Sequence, residues 1–216
     1  TGGGNSEIHR STITGNSTGG NYAAGGGFYA LDGITTMTDS TISGNSTNGT
    51  RASGGGVALI SAEGSFRNIT LSGNSTSGTD SPGGGLRTLI SPARILNSTI
   101  SGNSTESLSQ GGGLFADRGD MVIGHSTITS NTSSGAGGGV GISSVGSLDV
   151  AIHDSIIANN TDDATAPDVY GAQTSIGTLT VMHSLIGDNR GTGLSESQSA
   201  DPVTGNLVGD ASGAGL

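Results

Sequence analysis

The chain has no cysteine, no lysine and no tryptophan, and only 3% of its 216 residues are aromatic. Without cysteine there can be no disulfide framework and no thiolate metal site. The seven basic residues are all arginine and stand against 17 acidic ones, for a formal net charge of −10. That balance repels nucleic acid and anionic lipid while suiting solubility or divalent cations, so neither a nucleic-acid partner nor membrane insertion is expected. No apolar run approaches the roughly 20 residues a spanning helix needs. So few large apolar side chains cannot fill a thick core, but they can fill a thin one shared along a stack of similar units.

What is abundant is glycine, 42 residues, with serine, threonine and asparagine supplying much of the remainder. These residues recur in order. Ser40–Thr47 and Ser98–Thr105 both read STISGNST, Ser11–Thr18 reads STITGNST, Ile69–Thr76 reads ITLSGNST and Ser126–Ser133 reads STITSNTS. Echoes follow in SIIANNT at Ser155 and SLIGDN at Ser184. Aligning the motif asparagine gives Asn16, Asn45, Asn74, Asn103, Asn131, Asn159 and then Asp188, at intervals of 29, 29, 29, 28, 28 and 29. A period of this length, seven units deep, is the signature of a solenoid.

Each full unit runs from a glycine triplet (Gly25–Gly27, Gly54–Gly56, Gly83–Gly85, Gly111–Gly113, Gly137–Gly139) through an apolar stretch, a turn, an alternating stretch, the motif and a polar loop. From the last glycine to the motif aliphatic is 15 positions four times running, and 17 from Gly139 to Ile156. The loops after the asparagine hold 8, 8, 8, 7 and 5 residues, so length varies where a surface connection tolerates it. The stretches are short, β-branched and alternating, with no helical period.

The expectation is one all-β domain over residues 1–216, a right-handed parallel β-helix of about seven coils with three short strands per coil. Stacked about 4.8 Å apart, Ile13, Ile42, Leu71, Ile100, Ile128, Ile156 and Leu185 would form one inward column. Phe28, Val57, Leu86, Leu114 and Val140 would form a second, and Met37, Phe66, Ile95 and Ile123 a third. Asn16, Asn45, Asn74, Asn103, Asn131 and Asn159 are expected at the corner, in the positive-φ conformation that asparagine tolerates, with their amides bonded from coil to coil.

The alternation of GGG-[FVL] with [ST]-I-[ST]-G-N resembles bacterial secreted right-handed β-helix repeat proteins, particularly the polymorphic outer membrane protein-like and choice-of-anchor Q groups. SIIANNTDDATAPDVYG, HSLIGDNRGTGL and GNLVGDASGAGL look like the closing part of the latter group's repeat region. The resemblance implies an extracellular or cell-surface location and a chain that is a piece of a longer surface protein. It implies fold and location more than activity.

The leading functional expectation is a non-enzymatic structural or adhesive module, self-assembling end to end or held by the rest of its own chain at the helix ends, with extracellular glycans as further partners. The termini, Thr1–Gly4 and Gly209–Leu216, make poor caps for exposed strand edges. The runner-up is a polysaccharide lyase or glycoside hydrolase. Asp162 and Asp163, with Asp168 nearby, supply carboxylates of the kind glycoside hydrolysis needs, and the same three are candidate metal ligands. No Gly-His-Gly or Arg-Ile-Lys accompanies them, and no catalytic residue is assigned. His125 and His153, read as equivalent positions on adjacent coils beside Asp154, are candidate transition-metal ligands; set against that is an ordinary exposed polar column. No cofactor is expected, calcium alone standing as a candidate.

Two outward columns flank the aliphatic one: Thr12, Thr41, Thr70, Thr99, Thr127, Ser155 and Ser184, and Thr14, Ser43, Ser72, Ser101, Thr129, Ile157 and Ile186. This hydroxyl array resembles an ice-binding surface, although threonine and serine are also ordinary exposed strand residues. Among the N-x-[ST] sequons, the loop position Asn48 is the first expected to carry a glycan.

Overall fold

The computed structural model describes residues 3–143, 148–164, 166–171, 177–195, 197 and 200–209. One coil contains four strands: Ile34–Thr38, Thr41–Ser43, Ser46–Thr47 and Val57–Ile60. Each pairs in parallel with its equivalent one coil on, in the registers Met37↔Phe66, Ile42↔Leu71, Thr47↔Thr76 and Val57↔Leu86. Stacking produces four parallel sheets of seven, eight, six and six strands among the described residues. We call them sheets II, III, IV and I in the chain order of that coil, sheet I being the one that follows the glycines.

The fourth sheet corrects the expectation of three strands per coil. Sheet IV consists of two-residue strands directly after the asparagine, too short to leave an alternating pattern in the sequence. Its inward residues, Thr47, Thr76, Thr105 and Ser133, are buried. Thr76 Oγ1 donates to the Ser81 carbonyl and Thr105 Oγ1 to that of Ser109, so the stretch read as a polar loop is anchored from inside.

The core is the expected set of columns with one change of register. Met37, Phe66, Ile95 and Ile123 are buried in sheet II, Val57, Leu86, Leu114 and Val140 in sheet I, and Ile42, Leu71, Ile100 and Ile128 in sheet III. The next inward residues are then Ile157 and Ile186, not Ile156 and Leu185, because Ile128 pairs with Ile157 and Ile157 with Ile186. Ile156 is 47% exposed and continues the outward column of Thr127.

The same slip corrects the asparagine ladder. After the sheet III strand the positive-φ place is filled by Gly15, Gly44, Gly73, Gly102, Ser130 and then Asn159, with φ between 58° and 68°. The ladder residue comes one later: Asn16, Asn45, Asn74, Asn103, Asn131 and Asn160. Asn45 Nδ2 donates to Asn74 Oδ1 at 2.9 Å and to the Ile13 carbonyl at 3.0 Å, and its backbone N–H donates to the same Asn74 Oδ1. Equivalent bonds carry the ladder through Asn103 and Asn131 to Asn160. Neighbouring asparagines at 159 and 160 suit different places, the first a left-handed turn and the second an amide ladder.

Ser155 and Ser184 also move, from the outward column to a buried serine ladder. The N–H groups of Ser98, Ser126 and Ser155 donate to the hydroxyls of Ser126, Ser155 and Ser184, each hydroxyl donating in turn to the carbonyl two residues before it. Asn206 ends this ladder, its Oδ1 accepting the Ser184 N–H.

The glycine triplet has a separate reason at each place. In Gly54–Gly56 the first has φ +68°. A Cβ on the second would lie 2.2 Å from the Ser75 carbonyl oxygen, and one on the third 2.9 Å from Cγ of the ladder residue Asn74. Sheet I thus begins pressed against sheet IV, which closes the coil.

Candidate functional site

A cluster of capable side chains lies in a groove between the outer face of sheet I and the loop that follows sheet IV, with a volume of about 670 Å³. Sheet register stacks Ala58, Arg87, Phe115 and Gly141 in one outward column. A Cβ on Gly141 would fall 2.9 Å from the Phe115 ring, so glycine leaves room for the aromatic. Arg87 lies beside it, its Nη1 donating to Ser53 Oγ at 2.7 Å and its Nη2 3.6 Å from Asp117 Oδ2. Burial pulls the guanidinium below its ordinary value and the Asp117 carboxylate pulls it back, and an arginine there remains charged. Arg87 Nε is buried without a hydrogen-bond partner among the described residues.

The opposite wall comes from the loops. Tyr22, Arg51, Asp80 and Leu108 all have positive φ and project from consecutive coils. Arg51 Nη1 donates to the Tyr22 hydroxyl at 3.2 Å, its guanidinium sits 5.8 Å from the centre of the same ring, and Nε is 3.6 Å from Asp80 Oδ2. Sequence reasoning missed this groove. Its one signal is that these four positions recur at the motif period of 29, 29 and 28.

The acidic candidates lie elsewhere. Asp162 falls at the buried sheet IV place, paired with Ser133, and its Oδ2 accepts the N–H groups of Gly137 and Ala166. Asp163 is exposed. Asp168 stands where the third glycine stands in other coils: the Val140 N–H bonds to its carbonyl as Val57's bonds to Gly85's. A side chain at that place points at the asparagine ladder, and the Asp168 carboxylate terminates it. Oδ1 accepts both the N–H and Nδ2 of Asn160, and Oδ2 accepts the Asp188 N–H. Burial raises the Asp168 carboxyl above its ordinary value, opposed by the Asn160 bonds. Arg190 pairs with Asp188, and both line a cleft of about 600 Å³ with Asp168. Of the three acidic candidates, Asp162 and Asp168 thus serve as structural acceptors.

His125 and His153 meet as neighbours but not as equivalents. The positive-φ column between sheets II and III runs Arg10, Asp39, Asn68, Asn97, His125, Asp154 and His183, while His153 is paired with Gly124 inside sheet II. Asp154 therefore lies between two histidines along its column with a third at its side. The nearest separations are 3.1 Å from His153 Nδ1 to Oδ2, 3.9 Å from His125 Nδ1 to Oδ2 and 3.9 Å from His183 Nδ1 to Oδ1.

Thr12, Thr41, Thr70, Thr99 and Thr127 form the expected outward column of sheet III, which then continues as Ile156, Leu185 and Leu207. Asn48 is exposed, whereas the ladder asparagines Asn45, Asn74, Asn103 and Asn131 are wholly buried. The C-terminal residues 210–216 and Thr1 and Gly2, expected to make poor caps, lie outside the described residues.

No curated protein matches the sequence. A solved structure of trypsin-treated QnrB1, titled a plasmid-mediated fluoroquinolone resistance protein, aligns with 94% of this chain and 89% of its own at 11% identity. Its TM-score of 0.20 leaves it without weight in the argument. The family described as "Right handed beta helix region" matches residues 28–208, from the first full glycine-led strand to the last strand of sheet III. With four parallel sheets stacked in register over the same span, the chain belongs to the right-handed β-helix family.

Proposed function

We propose that this β-helix is a non-catalytic, extracellular adhesive module that holds an extended glycan in the groove beside sheet I. The observation that carries the reading is the pairing of Phe115 with the half-buried Arg87, whose buried Nε has no hydrogen-bond partner among the described residues. Sugar rings offer apolar faces to aromatic and aliphatic side chains and hydroxyls or carboxylates to guanidinium groups. Tyr22 and Arg51 repeat that combination across the groove. The groove crosses several coils, so successive coils meet successive units of a polymer.

Affinity electrophoresis against a panel of neutral and acidic polysaccharides tests it: retardation is expected for at least one, and Arg87→Ala or Phe115→Ala should remove it. Retardation unchanged in both variants would overturn the assignment to this groove.

A lyase or hydrolase reading has one observation in its favour, the raised carboxyl of Asp168 in the cleft by Arg190. Release of reducing or unsaturated ends from the same panel, with or without calcium, and its loss in Asp168→Asn would replace the adhesive reading. End-to-end association is the further proposal for partners: strands Ser6–His9, Thr12–Thr14, Ser17–Thr18 and Phe28–Leu31 each occupy the outermost place of their sheet. A sedimentation coefficient that rises with concentration supports it, and one that stays constant refutes it.

A further inference from the structure

The cluster at the border of sheets II and III is absorbed by neither reading. His125, His153 and Asp154 each offer one donor atom, and the three atoms all lie within 4.8 Å of one another. Donors bound tetrahedrally to zinc at 2.0–2.1 Å are about 3.3 Å apart. The two separations to Asp154 Oδ2, 3.1 and 3.9 Å, bracket that spacing. The His125 and His153 rings meet edge to face at 5.5 Å between centroids. Their side chains are exposed enough to close the remaining gap by rotation, without disturbing the buried columns inside.

A second observation comes from the strand. In sheet II the register place of His153 is occupied by His9, Thr38, Arg67, Leu96, Gly124 and Met182 on the other coils. Only the residue one coil before His153 is glycine. A Cβ at Gly124 would lie 2.3 Å from His153 Cε1, so the imidazole occupies the volume that any other side chain would fill. Gly124 sits mid-ladder where glycine weakens a strand, which makes the space for the ring its evident use.

We propose that His125, His153 and Asp154 bind one transition-metal dication of the zinc class, with His183 as a positioning residue. Two imidazoles and a carboxylate suit zinc, nickel or copper and do not suit calcium, which takes oxygen ligands. Arg67 and Arg94 line the same shallow hollow, so binding rests on nitrogen donors more than on accumulated negative charge. The site joins two coils, His125 from one and His153 and Asp154 from the next. His183 approaches the other carboxylate oxygen, Oδ1, from the coil beyond and fixes the orientation in which Oδ2 faces the metal.

Titration of the whole chain with Zn²⁺ in chelator-free buffer, followed by calorimetry, and with Co²⁺, followed by visible absorption, tests the site. One saturable ion per chain is expected. His153→Ala should lower affinity by about 100-fold or more through loss of a ligand, and Gly124→Ala by about tenfold by displacing the ring. His183→Ala should weaken binding by about tenfold with the cobalt spectrum retained, as outer-shell partners do. His9→Ala, at the far end of the solenoid, should change nothing. Circular dichroism confirms that each variant is folded. Absence of saturable binding, equal affinity in His153→Ala, or dependence on His9 would each overturn the proposal.

Discussion

The coils led by Gly25, Gly54, Gly83 and Gly111 and those after Gly137 are built on one plan and differ in how strictly they keep it. In the first group, the triplet, the threonine column and the asparagine ladder repeat at 29 or 28 residues. In the second, Ala166, Pro167 and Asp168 replace the triplet, Ile156 and Leu185 replace threonines, and the ladder ends on a carboxylate. Sheet IV stops at Thr161–Asp162, so the next strand of that sheet, which makes the second glycine obligatory elsewhere, is missing above Pro167 among the described residues. Repetition therefore records a constraint exerted by the neighbouring coil, and it lapses where the neighbour does. Three of the chain's four histidines and the Asp168 cleft also lie on or next to the irregular coils.

The largest break in that comparison should come from Gly84→Ala, because the new methyl carbon would lie 2.3 Å from the Ser104 carbonyl oxygen and 2.5 Å from that of Gly112. Both obstacles are backbone, Ser104 in a strand of sheet IV and Gly112 in the glycine triplet of the next coil. A loss of more than about 4 kcal/mol is expected, measured by denaturant unfolding, or failure to fold. Next comes Asn103→Ala in the regular ladder, which removes donors to Asn131 Oδ1 and the Leu71 carbonyl and the acceptor used by Asn74. Leaving buried groups without partners should cost about 3 kcal/mol.

Asp168, at the ladder's end, should behave in the opposite sense to an ordinary salt-bridged carboxylate. Its folded-state value is raised by burial, so the folded protein takes up its proton before the unfolded chain does. Its contribution is fully present below the ordinary carboxylate value of 3.8 and is lost as pH rises through the raised value. The denaturant midpoint should therefore rise as pH is lowered from 7 towards 4, with a smaller rise in Asp168→Asn. Asp149, whose value is lowered by the Thr178 hydroxyl and N–H, acts the other way, losing its contribution as pH falls below 3.8. A wild-type midpoint that falls steadily from pH 7 to 4 would contradict the role assigned to Asp168.

How legible this was from sequence depended on whether a residue type had one role or two. The aliphatic columns through Ile42, Leu71, Ile100 and Ile128 were plain because only burial explains an isoleucine or leucine at a fixed period among hydroxyls. Sheet IV was hidden, since two residues cannot show alternation. Asn159 was misread because asparagine serves both as a left-handed turn residue and as a ladder amide, and Asn160 beside it offered the same letter. Ser155 and Ser184 read as surface in the sequence, because each buried hydroxyl satisfies itself on the carbonyl two residues back, a bond with no mark in the sequence. Gly124 reads as one glycine among 42, and its significance exists only when His153 is placed beside it.

The smallest effect tests that corrected register. Ile156 and Leu185 continue the column of Thr12, Thr41, Thr70, Thr99 and Thr127, and Ile156 is 47% exposed. Replacing both with threonine extends the hydroxyl column over the irregular coils, keeps a β-branched or strand-compatible residue at each place and uncovers no core. The denaturant midpoint should shift by no more than about 0.5 kcal/mol in stability. The same change one residue on, Ile157→Thr, puts a hydroxyl into a fully buried place between Ile128 and Ile186. It should cost about 2 kcal/mol, from the lost aliphatic group and the desolvated hydroxyl together. The ratio of the two effects decides the register without a structure: if the pair at 156 and 185 proved the costlier, those side chains would point inward and the ladder would run through Asn159 after all.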